Sequence, residues 1–353
     1  MTSGDERLFE DEPDGTAVLD RLPPGQAAAV AGLIERARQA DGVSPLSEQG
    51  MLNLDRPRAG VRHLLRYDLR GEVAGYAQLV APEPSEPAGA APAPDDRDGH
   101  EDHDGPEGPS AELVVAPAHR RLGHGHRLLS TLLEVGGPRV AVWAHGDTPA
   151  ARGLAATLGL RQVRELRRMR RPLPADRAAI DAELPRPTLP SGVQLRTFEP
   201  GPGPDGGTGD GPAWLALNAA AFAHHPEQGA WTADDLAARL AEPWFDPAGF
   251  FLAVRTAPDG SQRLVGFHWT KVHPAGADQG PDPVGEVYVV GVDPAEQGGG
   301  LGRALTMTGL RHLAGLGLPA VILYVDADNA PAVRVYERLG FAVDAVDTMY
   351  RRA

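Results

Sequence analysis

A strand that runs into a proline, a glycine cluster and then a helix occurs twice in this chain, and that repetition constrains the architecture more than any other feature. The fuller copy is "YVVGVDPAEQGGGLGRAL" at 288 to 305, and the other is "ELVVAPAHRRLGHGHRLL" at 112 to 129. Aligning Pro117 with Pro294 extends the match, because each copy continues into an apolar strand and a small-residue helix. These read "VAVWAHGDTPAARGLAATLGL" (140 to 160) and "AVILYVDADNAPAVRVYERLGF" (320 to 341). A period of about 180 residues is domain duplication rather than a solenoid.

The chain has 353 residues, enough for two domains with full cores. The expected bounds are a disordered acidic N-terminus at 1–15, an N-terminal domain at 16–172, a linker at 173–192 and a C-terminal domain at 193–353. The linker assignment rests on "PLPADRAAIDAELPRPTLPSG" (172 to 192), dense in proline and poor in periodic apolar residues. The stretch 81–110 has almost no large apolar side chain, so it cannot bury enough surface to offset its ordering entropy. It reads as a disordered insert, and 199–212 as a shorter one. His100 and His103 lie among aspartates in the first insert, without the outer hydrogen bonds a metal site needs, and no metal is assigned.

Cysteine is absent, which removes disulfides, thiolate metal sites and a cysteine nucleophile. A net charge of −14 argues against broad binding to a phosphate backbone. No apolar run approaches the roughly 20 residues of a membrane span, and the N-terminus is acidic where a signal peptide is basic and then apolar. The expectation is a cytoplasmic protein, monomeric rather than oligomeric, acting on a small molecule, with no nucleic-acid or membrane partner.

In the second half, "VQLRTF" (193 to 198) alternates like a strand, while 213–222 and 232–242 read as helices, the latter capped by Thr232. Two strands joined at Asp259-Gly260 follow, and then "GEVYVVGV" (285 to 292) leads into the glycine loop. The order strand, helices, three strands, helix, strand, helix, strand gives a mixed α/β domain, not a doubly wound one.

In the run from Gln297 to Arg303, glycines let the backbone approach a ligand, and the helix that starts there directs its unpaired N–H groups to the same point. That suits a pyrophosphate, although a structural turn uses similar glycines. The loop lacks the Gly-Lys-Ser/Thr of a Walker sequence. Its companions resemble the GNAT acetyltransferase superfamily, whose signature Val-x-Pro-x-x-Gln/Arg-x-x-Gly-x-Gly/Ala falls here on Val292, Pro294, Gln297, Gly300 and Gly302. The superfamily's later element, Asn-x-x-Ala-x-x-x-Tyr before Leu-Gly-Phe, falls on Asn329, Ala332, Tyr336 and 339–341. The resemblance implies two tandem GNAT domains, each a central mixed sheet flanked by helices. It also implies acetyl-CoA lodged where two parallel strands, 287–292 and 320–325, splay apart. The implied cofactor residues are Val290, Gly291, Val292, Gln297, Gly298, Gly299, Gly300, Leu301, Gly302 and Arg303, then Asn329, Ala330, Pro331, Ala332, Val333 and Arg334.

Acetyl transfer to an amine needs a neutral nucleophile and a proton for the departing thiolate. An α-amine with pKa of about 8 is mostly charged at pH 7, so a nearby carboxylate, acting directly or through a water, suits as the base, and Glu286 at the head of the wedge strand is the candidate. A backbone N–H near Val292 would polarise the carbonyl, and Tyr336 is the candidate acid. Longer stretches, among them "AAFAHHPEQGAWT" (220 to 232), "GFHWTKVHP" (266 to 274) and "DGVSPLSEQ" (41 to 49), resemble a tandem branch of the superfamily. Its members acetylate the cysteinyl amine of a cysteine–glucosamine–inositol conjugate. That resemblance implies substrate contacts at Glu48, Glu227, Lys271, Glu286 and Tyr324, a set of acceptors and donors suited to a polyol bearing an ammonium.

In the first half, the resemblance implies a second acetyl-CoA site at Leu113, Val114, Val115, Arg121, Leu122, Gly123, His124, Gly125 and His126. The positions aligned with Glu286 and Tyr336 are Pro109 and Ala155, so binding without turnover is expected there. Two other readings stay open at the level of sequence. One is a different amine acetyltransferase, acting on a protein N-terminus or an aminoglycoside; the other is a non-catalytic acetyl-CoA sensor.

Overall fold

The structure is a computed structural model that describes residues 15–55, 58–81, 108–201, 209–223, 226–276 and 280–352. The expected acidic N-terminus, nearly all of the insert 81–110 and the middle of 199–212 lie outside the described residues. The first half of the chain forms β1 (Thr16–Leu19), α1 (Pro24–Asp41), α2 (Glu48–Asp55), β2 (Val61–Tyr67), β3 (Val73–Val80), β4 (Ser110–Val115), α3 (His124–Gly136), β5 (Ala141–Ala144), α4 (Pro149–Thr157) and β6 (Leu160–Pro172). The second half forms α5 (Arg177–Glu183), β7 (Val193–Thr197), α6 (Gly211–Ala221), α7 (Pro226–Gly229), α8 (Ala233–Leu240), β8 (Phe250–Thr256), β9 (Gln262–His273), β10 (Val284–Val292), α9 (Leu301–Gly315), β11 (Ala320–Asp326), α10 (Ala330–Arg338) and β12 (Ala342–Arg352). No described helix is long and apolar enough to cross a membrane.

Two compact units result, one running to Leu166 and including the residues from Val346 on, the other spanning Arg167–Ala345. In the first unit, β1 to β4 form an antiparallel ladder in chain order, and β4 then pairs parallel with β5. The apolar stripe Leu128, Leu129, Leu132 and Leu133 of α3 packs on one face of this mixed sheet, against Leu64, Ala77, Leu79 and Val142. Helix α1 covers the other face with Val30, Leu33, Ile34 and Ala37 against Leu65, Tyr76 and Val114. The sheet is completed by the end of the chain, since Thr348–Arg351 of β12 pair antiparallel with β5. The expected C-terminal domain bound of 353 is therefore revised. The final residues are counted with the first unit because their backbone partners and the buried ring of Tyr350 lie there.

The second unit repeats the plan, with β7 to β10 antiparallel in chain order and β10 parallel to β11. Strand alternation divides its side chains between two faces. Val287, Val321, Leu323 and Val325 meet α9 and α10, whereas Phe250, Leu252, Phe267 and Trp269 meet α6 and α8. Helix α8 begins with the expected Thr232 cap, here a full capping box with Asp235. The expected linker proves to be structured. Asp176 caps α5, and Leu173, Ile180 and Leu184 are buried with Met307, Leu310 and Leu313 in one core. Arg311 fastens it from α9 by donating to the Leu184 carbonyl and pairing with Asp181 at 2.6 Å. Within the helix Ile180 is the buried residue, with Leu184 at its C-cap and Leu173 before it, too short an apolar pattern to stand out among the flanking prolines.

Candidate active site

The site begins where a ladder ends. Strands β10 and β11 pair at Gly285 with Val321 and at Glu286 with Ile322, and β10 then continues to Val292 and β11 to Asp326 without pairing further. The splayed pair is the wedge expected from sequence. A β-bulge between Val287 and Val289 twists β10 just past the apex and leaves Tyr288 without an opposing residue on β9. As a result Tyr288 and Val289 both lie on the α8 face, while Val287 and Val290 lie on the α9 face.

Beyond Val292, Pro294–Glu296 make one 3-10 turn, capped by the Asp293 carboxylate accepting from the Ala295 N–H at 2.9 Å. Arg255 of β8 grips Glu296 at 2.9 and 2.5 Å, and Arg263 of β9 pairs with both Glu296 and Asp293. The turn is thus bolted to the sheet, and the glycines that follow are not. Gly298 and Gly300 have φ of +83° and +82°, the left-handed region that favours glycine. A β-carbon at Gly298 or Gly300 would meet nothing within 4 Å, and at Gly299 only the Glu296 carbonyl at 3.7 Å. Gly300 is the N-cap of α9 with no side-chain cap, so the first N–H groups of a 15-residue helix are left without a side-chain partner where the β-carbon positions are open. The arrangement fits a pyrophosphate-bearing ligand. Leu301 and Val333 point their side chains into the core, so they can meet a ligand only through the backbone. Asn329 caps α10 by accepting from the Ala332 N–H at 3.2 Å, and Pro331 sits in the first turn, where its missing N–H costs nothing.

At the apex, Glu286 is 6% exposed and hydrogen-bonded to His273 Nε2 at 2.5 Å. Its register neighbour on β9 is Lys271, whose ammonium lies 4.5 Å from the Trp244 ring centre and 5.2 Å from that of Tyr288. The Tyr288 hydroxyl accepts from Arg239 at 2.9 Å, and Arg239 in turn lies 3.8 Å over Trp231. Cation–π contacts hold both cations while they are nearly excluded from water. Tyr324, 38% exposed, follows Ile322 by two residues on β11 and so shares the face of Glu286; it also interacts with Arg168, which Asp344 holds at 2.9 Å. The structure therefore assembles Lys271, Glu286 and Tyr324 on one face.

Tyr336 lies on the other face, packed against the α9 core and edge-on to Phe341 at 5.9 Å. Burial there pushes its phenol up to about 12. Glu286 and Tyr336 thus lie on opposite faces of the sheet. Glu227 belongs to α7, which Gln228 ties to Asn218 of α6, but its side chain is outside the described residues. Glu48 opens α2 in the first unit. Sequence reasoning passed over His273, Trp244, Tyr288 and Arg239. His273 lies thirteen residues from Glu286, and only the β9–β10 register brings the two together.

The first unit preserves the loop. Pro117–His119 form the same turn, Gly123 caps α3 at φ +86°, and Arg121 takes φ +64° where the second unit has Gly298. Arg120 fixes the turn by a bidentate pair with Asp41 at 2.7 and 2.6 Å. The side chains of Leu122 and His126 are exposed, and Val114 is buried. Strands β4 and β5 part after Glu112 and Trp143. Because β4 has no counterpart of the Tyr288 bulge, Glu286 matches Ser110 rather than the Pro109 of the ungapped alignment. At this apex Glu112 accepts from the Ser47 N–H and from His145, both at 2.8 Å, and His145 also bonds Asp347 at 3.1 Å. The imidazole has both nitrogens engaged, which suits a structural pin.

Comparison with known proteins agrees with this geometry. The acetyltransferase (GNAT) family model matches residues 30–160 and 214–341. The mycothiol acetyltransferase of Streptomyces coelicolor is 51% identical over 352 residues, 99% of each chain. That of Thermobispora bispora is 53% identical over 333 residues, 94% of this chain and 98% of its own. Among solved structures, a tandem GNAT protein from the clavulanic acid biosynthesis pathway aligns with a TM-score of 0.62 at 17% identity, over 95% of this chain and 97% of its own. A GCN5-related N-acetyltransferase from Sphaerobacter thermophilus aligns with a TM-score of 0.59 at 24% identity, over 96% of each. These last two speak to the fold alone.

Proposed function

The chain belongs to the mycothiol acetyltransferases of the GNAT family, and on that premise we propose that it transfers acetyl from acetyl-CoA to the cysteinyl amine of the cysteine–glucosamine–inositol conjugate. The products are mycothiol and CoA. The observation that carries this reading is the splay of β10 and β11 directly after Glu286, with a side-chain-free helix N-terminus beyond it.

Val290 to Val292, Gln297 to Arg303 and Asn329 to Arg334 hold acetyl-CoA, which supplies an activated thioester carbonyl and a thiolate leaving group. Glu286 takes a proton from the incoming ammonium. Lys271 and Tyr324 stand on the same face and donate to hydroxyls of the sugar and inositol, with Glu227 accepting. Tyr336 serves the leaving group. With its phenol at about 12 and a free thiol near 8.5, complete proton transfer to a fully formed thiolate would be uphill by roughly 5 kcal/mol. Its contribution is therefore a hydrogen bond that strengthens as charge develops on sulfur. The first unit binds a second acetyl-CoA through Leu113 to Val115 and Arg121 to His126 without turning it over. The retained backbone shape of that loop supports this, as does the occupied Glu112–His145 pair at its apex.

A thiol-release assay tests the assignment. The cysteinyl conjugate should exceed simple amines in kcat/KM by at least about 100-fold, the scale expected when several buried polar partners are lost. Equal rates with a peptide N-terminus or an aminoglycoside would point to a different acceptor, and acetyl-CoA binding without thiol release would point to a sensor.

A further inference from the structure

We propose that His273 is the positioning residue for the base, holding the Glu286 carboxylate in one orientation so that its second oxygen faces the acceptor amine. This rests on the reading of Glu286 as the base. An ionised carboxylate has only acceptors, so at 2.5 Å the shared proton belongs to His273 Nε2, which donates to Glu286 Oε2. Oε1 then takes the proton from R–NH3+, giving R–NH2 and the carboxylic acid, while His273 keeps its own. The free amine forms the new C–N bond as the C–S bond breaks; the nitrogen gives up its extra proton while the departing thiolate takes one up to leave as CoA–SH, and Glu286 afterwards returns its own proton to solvent.

Three features favour positioning over incidental contact. Glu286 is 6% exposed, so without a donor its charged form would lose solvation that nothing replaces. His273 and Glu286 lie diagonally across the β9–β10 ladder, two residues out of register, so the bond fixes a side-chain direction and not only a backbone spacing. The other charged and titratable groups on this face already have contacts. Lys271 of β9 lies over Trp244 and Tyr288, Arg239 of α8 is engaged with Tyr288 and Trp231, and Tyr324 of β11 interacts with Arg168.

The test compares H273A, H273Q, E286Q and the double variant H273A/E286Q, using whichever amine the wild type acetylates fastest. A wrong substrate assignment then shows as a change of preferred amine and leaves the His273 question answerable. H273A should lose 10- to 100-fold in kcat with an acetyl-CoA dissociation constant by calorimetry within two-fold of wild type. The acid limb of its pH–rate profile should move upward by about one unit, because the buried carboxylate has lost a donor to its charged form. H273Q, which keeps an N–H at a similar reach, should recover most of the rate and the wild-type limb. The double variant should be no slower than E286Q, since His273 acts through Glu286. An unmoved acid limb in H273A, or a full additional loss on the E286Q background, overturns the proposal.

Discussion

At the scale of single residues, two buried groups with displaced titration do opposite work. Tyr336 is packed edge-on to Phe341, so Tyr336→Phe keeps the packing and removes only the hydroxyl. It should reduce kcat by about 100- to 1,000-fold with calorimetric acetyl-CoA affinity unchanged. His145 concerns stability instead. Burial opposes its charge, but the hydrogen bonds to Asp347 and Glu112 outweigh that and push it up to about 10. A folded-state value raised above 6.5 means the stabilisation is complete below about pH 6.5 and fades as pH rises toward 10. Over that window unfolding free energy should fall by up to about 1.4 kcal/mol per pH unit, and His145→Gln should flatten the slope in melts run from pH 6 to 10.

At the scale of elements, the loop entering α9 separates backbone strain from ligand access. Gly300 is left-handed, so Gly300→Ala should cost about 1 kcal/mol in stability as well as affinity. Gly299 has no such φ and its β-carbon position is open, so Gly299→Ala should melt like wild type while binding acetyl-CoA at least several-fold more weakly. Paired melting and calorimetry checks both. Arg121 in the first loop already shows that the shape survives without a glycine there. The glycine loops and the cap at Thr232 were legible in the sequence because each depends on neighbours a few residues apart, whereas the wedge, whose strands lie more than 30 residues apart, was reached only through the family resemblance. The pairing of His273 with Glu286, the Tyr288 bulge and the aromatic contacts of Lys271 were not, since they arise from strand register. Helix α5 was missed for a different reason, because it is seven residues long, buries Ile180 alone within its length, and sits in a proline-rich stretch.

At the scale of the whole molecule, the duplication did not leave two self-contained halves. The last strand supplies the first unit with a backbone partner for β5, the Asp347 carboxylate that holds His145, and the buried ring of Tyr350, whose hydroxyl donates to Asp147 at 2.8 Å. Deleting 346–353 should therefore leave the second unit resistant to limited proteolysis while the first becomes sensitive and loses its share of the melting transition. Translation adds an order in time. Residues up to Leu166 emerge from the ribosome early, yet their sheet lacks its closing strand until Val346 and its successors follow. At about 5–20 residues per second, that interval is roughly 10 to 35 seconds. The half of the protein made first is thus the half that finishes folding last, with the edge of β5 exposed to other chains in the meantime.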